Sequence, residues 1–174
     1  MQRCLNGKSM VEFTSVINIL FFSRLFYPHI GGVEKHVLEI SKLLIKKGHK
    51  VSVVSESHDS GLALTEEKEG IKIYRIPVGA NNWFRKFRIW REIWILRNLI
   101  KTSNIIHCHD VFFWYLPFRL LFLNKPVFTT FHGYEDYPLK SKFIIMHKIA
   151  EKLSFGNICV GDFMKKWYGA NPDF

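Results

Sequence analysis

A chain of 174 residues that is 48% hydrophobic and 16% aromatic carries enough apolar side chain for one well-buried domain, which excludes a disordered segment. Its net charge of +10 requires an anionic partner: nucleic acid, an acidic membrane surface or a phosphorylated small molecule. Cys4, Cys108 and Cys159 are widely spaced with no C-x-x-C pair, which argues against a disulfide framework or a cysteine zinc site, and no run of about 18 apolar residues marks a transmembrane helix.

Residues 1–15 are polar, without the apolar stretch of a signal peptide, and read as a disordered extension before a domain over 16–174; Met10 is an equal candidate for the start. A reducing cytosol is the simplest compartment for these thiols. Residues 16–22 (VINILFF) form a continuous apolar run, as buried parallel strands do. The Gly31-Gly32 turn follows. It opens a helix over 33–47 whose Val33, Val37, Ile40, Leu44 and Ile45 make one apolar stripe. Gly48 ends that helix, with Lys46 and Lys47 placed where cations suit the helix dipole. A strand over 50–55, a polar loop over 56–70 and a strand over 71–76, stopped by Pro77, come next.

Residues 82–101 read as one long helix. Trp83, Phe87, Trp90 and Trp94 share a narrow arc beside an aliphatic face of Ile89, Ile93, Leu96 and Ile100. Arg85, Lys86, Arg88, Arg91, Arg97 and Lys101 face one acid of the segment, Glu92. Three readings stay open: a crossover helix packed on the sheet; a helix on an anionic membrane, with Trp83, Arg85, Lys86, Trp90, Arg91 and Trp94 at the surface; or a nucleic-acid stripe. The last is weakest, because no nucleic-acid module accompanies the charge, and no nucleic-acid partner is expected. The pattern then alternates: strand 104–109, helix 111–122, strand 126–131, helix 140–153, strand 157–160, helix 162–168.

Strands alternating with helices predict an α/β fold, a Rossmann-like doubly wound parallel sheet, with ligands outside the carboxyl ends of the strands. Gly31 and Gly32, His109 and Asp110, and His132 and Gly133 all fall just after strands. The glycine pair suits close approach of a phosphate to main-chain N–H groups at a helix start, and equally a plain tight turn. His132 can donate a hydrogen bond to a sugar hydroxyl, present its backbone carbonyl to a developing positive centre, or be a turn histidine satisfied by a neighbour within a polar stretch of Tyr134, Glu135 and Asp136. Asp110 reads as a hydroxyl-orienting group or a helix N-cap, and Glu34 as a carboxylate at a helix start. His36 and His49 read as helix-surface and turn residues. His107, His109 and Asp110 lack further ligands at metal spacing, so no metal is expected. Without G-x-G-x-x-G a dehydrogenase is disfavoured.

Four stretches in order carry a resemblance: Phe26-Tyr27-Pro28-His29-Ile30-Gly31-Gly32-Val33-Glu34-Lys35-His36 with Gly48-His49-Lys50-Val51; Ile105-Ile106-His107-Cys108-His109-Asp110; Phe128-Thr129-Thr130-Phe131-His132-Gly133; and Asn157-Ile158-Cys159-Val160-Gly161 with Met164-Lys165-Lys166. They resemble the N-terminal half of the family 4 retaining glycosyltransferases of GT-B architecture, over residues 16–170. Gly161 stands where that family often has serine. The resemblance implies an acceptor-side domain facing a donor domain across a cleft. It implies His132 near the reacting carbon as the catalytic contact, Gly31 and Gly32 on a donor diphosphate or an acceptor phosphate, and Asp110 on the acceptor side, with Gly133 among the phosphate- or substrate-binding residues. It also implies a UDP- or GDP-sugar donor, a lipid-linked or cell-surface glycan acceptor, no cofactor and no metal. The donor half's basic pair and Glu-x7-Glu motif do not occur in these residues, so the chain alone is expected to be half an enzyme, completed in cis or in trans. The charge and the 82–101 segment place it at the cytoplasmic face of a membrane in this reading. The alternative kept open is a non-enzymatic module, or split-enzyme subunit, docking a phosphorylated lipid or a partner chain.

Overall fold

The computed structural model describes residues 15–133, 141–162 and 172–173. The expected N-terminal extension, the polar turn at Tyr134, Glu135 and Asp136, and all of the last helix beyond Asp162 lie outside the described residues. The elements are β1 (Asn18–Ser23), α1 (Gly32–Lys46), β2 (Lys50–Glu56), β3 (Thr65–Lys68), β4 (Ile71–Ile76), α2 (Arg85–Ile95), α3 (Arg97–Thr102), β5 (Ile105–His109), α4 (Phe112–Leu121), β6 (Val127–Phe131), α5 (Ser141–Leu153) and β7 (Gly156–Cys159).

Seven strands form one sheet in the order β3-β4-β2-β1-β5-β6-β7. Every pairing is parallel except β3 on β4. That antiparallel edge corrects the expectation of a plain loop over 56–70. Thr65–Lys68 is polar and mostly exposed, so nothing in its hydropathy marks a strand; its backbone pairing with β4 makes it one.

Period-two alternation divides the strands between two cores. Ile19, Phe21, Val51, Val53, Ile71 and Ile73 face α1, while Leu20, Phe22, Val54, Ile76, Ile106 and Cys108 face the opposite layer of α2 to α5. Helices on both faces explain why the strands read as continuous apolar runs. Gly48 adopts φ 85° after α1, the left-handed stop its position predicts.

The long helix expected over 82–101 is two helices, meeting at Leu96, which ends α2 and begins α3 on the way to β5. Its aliphatic face, Ile89, Ile93 and Ile100, is the buried one. Trp90 is turned inward for a specific reason. Pro117 lies inside α4 and has no N–H for the carbonyl of Phe113, and the Trp90 indole Nε1 donates to that carbonyl instead, at 3.0 Å. Trp90 therefore does not belong to the exposed aromatic set.

Candidate functional site

Going out from β1, the chain builds the sheet in one direction through β2, β4 and β3, and in the other through β5, β6 and β7. The reversal between β1 and β5 is where parallel α/β sheets open a crevice at their carboxyl ends. A cavity of about 920 Å³ lies there. Ser23 ending β1, His109 ending β5, Asp110 just after it, and His132 and Gly133 after β6 line it, with Glu34 of α1 and His147 of α5. It extends to the start of α2, where Trp83, Arg85, Lys86, Phe87 and Trp90 form its other wall.

Strand register brings the histidines together. His107 and His109 share the α1 face of β5, and their neighbours on β6 are Phe128 and Thr130. The two imidazoles stack at 4.4 Å between centroids, and His107 Nε2 lies 2.7 Å from the Thr130 hydroxyl. His109 Nδ1 is 3.0 Å from His132 Nε2. His36 projects from α1 with its ring edge-on to His132 and His109, at 4.9 and 5.9 Å. So His36 packs against the strand-end histidines, where its spacing suggested a free helix surface, although it does not itself line the cavity. Only the packing of α1 on the sheet brings it to the strand ends, and sequence spacing carries no trace of that.

Burial is the main cause that lowers the basicity of these rings, reinforced by their proximity to one another. His107 falls to about 4, His132 to about 4, and His109 well below the ordinary histidine value. All three are neutral at pH 7. Burial and the adjacent Lys148 also bring His147 to about 4. His36, His109 and His132 each offer a ligand atom within 4.8 Å of the others, a group that could hold a metal ion among the described residues. The His109–His132 nitrogens, however, face each other along a hydrogen-bond line rather than converging on a common point.

Asp110 is not the N-cap of α4. Val111 precedes that helix, and no side chain caps it. Asp110 sits at φ 58°, which an Asp tolerates better than most residues. Its N–H donates to the Thr130 carbonyl at 3.0 Å, and its Oδ1 accepts the His132 backbone N–H at 2.9 Å. Gly133, at φ 142°, adopts a conformation that favours glycine.

Gly31 is the N-cap of α1 with φ −126°, and no side chain caps the helix. Neither Gly31 nor Gly32 has a positive φ, so turn geometry does not demand the pair. A Cβ on Gly31 would meet the carboxylate end of Glu34, whereas one on Gly32 would meet nothing. Neither glycine lines the cavity, unlike Glu34 and Val33 just after them. The loop before them is held by Arg75, a residue that no sequence pattern singles out. Its fully buried guanidinium donates to the carbonyls of Tyr27 and Ala63 at 2.7 Å and pairs with Glu66 at 2.6 Å.

The six residues expected at a membrane surface divide. Trp83 is 82% exposed and Lys86 is exposed, as are Phe84 and Phe87 beside them. Arg85 is paired with Glu56 at 2.6 Å, and Arg91 with Glu92. Trp94 is half exposed and stacks on Phe118 at 6.5 Å, away from the cavity lining. Arg88, read as another surface cation, donates to the carbonyls of Val78 and Ala80 and ties down the loop before α2. No helix of the described residues is long and apolar enough to cross a membrane.

The chain is similar to known proteins in sequence and in fold. The chain is 31% identical over 106 residues to a phosphatidylinositol N-acetylglucosaminyltransferase subunit of Homo sapiens; the match covers 57% of this chain and 21% of that relative. In solved structures, sucrose-phosphate synthase from Thermosynechococcus elongatus superposes with a TM-score of 0.70 at 13% identity, over 90% of this chain and 46% of that one. A glycosyltransferase from Rickettsia africae ESF-5 superposes with a TM-score of 0.63 at 21% identity, over 91% and 41%. At these identities the two structures speak to the fold alone, and the chain spans less than half of each. The family model described as Glycosyltransferase Family 4 matches residues 30–171. With most of its length inside that match and its fold shared with solved glycosyltransferases, the chain belongs to Glycosyltransferase Family 4.

Proposed function

We propose that this chain is the acceptor-side domain of a retaining hexosyltransferase that moves a sugar from a UDP- or GDP-sugar to a lipid-linked acceptor. The observation that carries this reading is the cavity that joins the His132, Asp110 and Gly133 end of the sheet to the exposed aromatic and basic start of α2. A polar head seated against the strand ends would leave its lipid portion beside Trp83, Phe84 and Phe87, whose apolar surfaces are exposed there. Tryptophan and lysine at such a rim suit the interface of an anionic bilayer. The human relative's name, a phosphatidylinositol N-acetylglucosaminyltransferase, supports a phosphorylated lipid as acceptor class.

In this reading His132 contacts the transferred sugar near the reacting carbon. Asp110 holds its backbone, and neutral hydrogen-bond donors, with no metal, balance the charge that develops on the leaving phosphate. The start of α1, at Gly31 and Gly32, has no side-chain cap and would take a phosphate once the Glu34 carboxylate beside Gly31 moves aside. Transfer requires a donor-side domain, in cis or in trans, and the protein works peripherally at the cytoplasmic face of a membrane.

The test is transfer of labelled sugar from UDP- and GDP-hexoses to phosphatidylinositol vesicles by this chain combined with a family 4 donor domain. His132→Ala should lower kcat on the order of 10²-fold without loss of folding, the size expected for removing one transition-state hydrogen bond. Full turnover by His132→Ala would remove it from the chemistry.

A further inference from the structure

His109 is 1% exposed, and its ring has two nitrogens with different fates. Nδ1 lies 3.0 Å from His132 Nε2, while the ring centroids are 5.3 Å apart. The difference is the two ring radii, so both nitrogens lie on the line joining the rings and meet head-on. Two neutral imidazoles facing this way share one proton: one ring donates and the other accepts. The other nitrogen of His109, Nε2, is buried and has no hydrogen-bond partner among the described residues.

That orphan decides who donates. Were the shared proton carried by His132 Nε2, His109 would accept at Nδ1 and its own proton would sit on Nε2, a buried N–H with nowhere to go. Stranded buried N–H groups are the rarer and costlier defect; a bare acceptor is tolerated more often. The proton therefore belongs on His109 Nδ1. His132 accepts it at Nε2 and keeps its own proton on Nδ1, the reverse of the tautomer that a histidine side chain favours in water. His132 lines the cavity, and its backbone is fixed by Asp110, so its ring is oriented from both ends. Burial keeps both rings neutral at pH 7, so neither acquires a second proton to blur the assignment.

We propose that His109 is a positioning residue that holds His132 in its Nδ1–H tautomer, so that the cavity is offered a hydrogen-bond donor. The ligand atom that matches is an acceptor oxygen, from a sugar hydroxyl or a phosphate. The use of this donor in glycosyl transfer rests on the function proposed above; the tautomer itself does not.

The experiment is long-range proton–nitrogen NMR of the 174-residue chain labelled with nitrogen-15 histidine, at pH 7 and without substrate. His132 should show a protonated Nδ1 and a bare Nε2. In His109→Leu the proton of His132 should move to Nε2 for all or most of the population. His109→Asn places an amide donor where Nδ1 stood and should restore the Nδ1–H form. Protonation of His132 at Nε2 in the unsubstituted chain, or an unchanged tautomer in a folded His109→Leu, overturns the proposal. If His109→Leu does not fold, the unsubstituted spectrum alone decides. Because no sugar is transferred in this experiment, its outcome stands apart from that of the activity test.

Discussion

His132 is set by two contacts of different kinds: its backbone N–H is bound by Asp110 Oδ1, and its ring meets His109. Asp110 is held in turn at φ 58° by its own N–H on Thr130. Asp110→Ala removes the acceptor but keeps the unfavourable backbone, and should cost on the order of 1–2 kcal/mol in urea unfolding. Asp110→Asn keeps an oxygen at the same place and a residue tolerant of that φ, and should stay within about 0.5 kcal/mol of the original chain. Equal stability of the Ala and Asn variants would show that the contact to His132 contributes nothing. Much of this was legible in the sequence, because strand-end residues follow from where apolar runs stop, and His132, Gly133 and Asp110 all lie at the cavity. His36 and Arg75 were not. Each acts across the fold, one from α1 onto β5 and β6, the other from β4 onto the loop before Gly31, and neither leaves a local pattern.

The second helical layer is the element on which sequence reading was most divided. Periodicity located its two faces but could not say which faced the core. Ile89 and Ile93 are buried, so most of the aromatic stripe lies outward, except Trp90, which the missing N–H of Pro117 draws in. The two tryptophans therefore respond differently to substitution. Trp83→Ser with Phe87→Ser should lower sedimentation with phosphatidylinositol-containing vesicles at least several-fold and leave thermal stability unchanged. Trp90→Phe strands the Phe113 carbonyl and should cost about 1–3 kcal/mol while leaving vesicle binding intact. Unchanged sedimentation of the double variant would count against a membrane role for the start of α2. In β4, Arg75→Met leaves the Tyr27 and Ala63 carbonyls and Glu66 without their donor, and should cost on the order of 2–3 kcal/mol in denaturant unfolding. A smaller loss would mean that water replaces the guanidinium.

Over the whole molecule the pattern of strands and helices was readable because the central strands are largely buried on both faces and the crossover helices carry apolar stripes. The antiparallel β3 escaped, since a polar edge strand owes its existence to pairing rather than to hydropathy. The fold also buries several histidines in neutral form, which ties its stability to pH. His107 and His132 titrate near 4 in the folded chain against an ordinary 6.5, and burial also holds His109 well below 6.5. Between those values the unfolded chain binds more protons than the folded one, so stability is complete above about 6.5 and is lost as the pH falls toward 4. The unfolding midpoint in urea should therefore drop steadily from pH 7 to pH 4.5, and replacing His107 with Gln should flatten the slope. A midpoint independent of pH in that range would mean that these rings are charged in the fold.

The role proposed for this domain is to present a lipid acceptor to a donor-side domain. The most direct measurement is the appearance of labelled sugar in organic-extractable lipid when the 174-residue chain, a family 4 donor domain, UDP- or GDP-hexose and phosphatidylinositol vesicles are combined. Lipid product is expected with both domains, none with either alone, and a roughly 10²-fold lower rate with His132→Ala. No lipid product from a donor domain shown to bind the nucleotide, or full-rate transfer by the donor domain alone, would contradict that role.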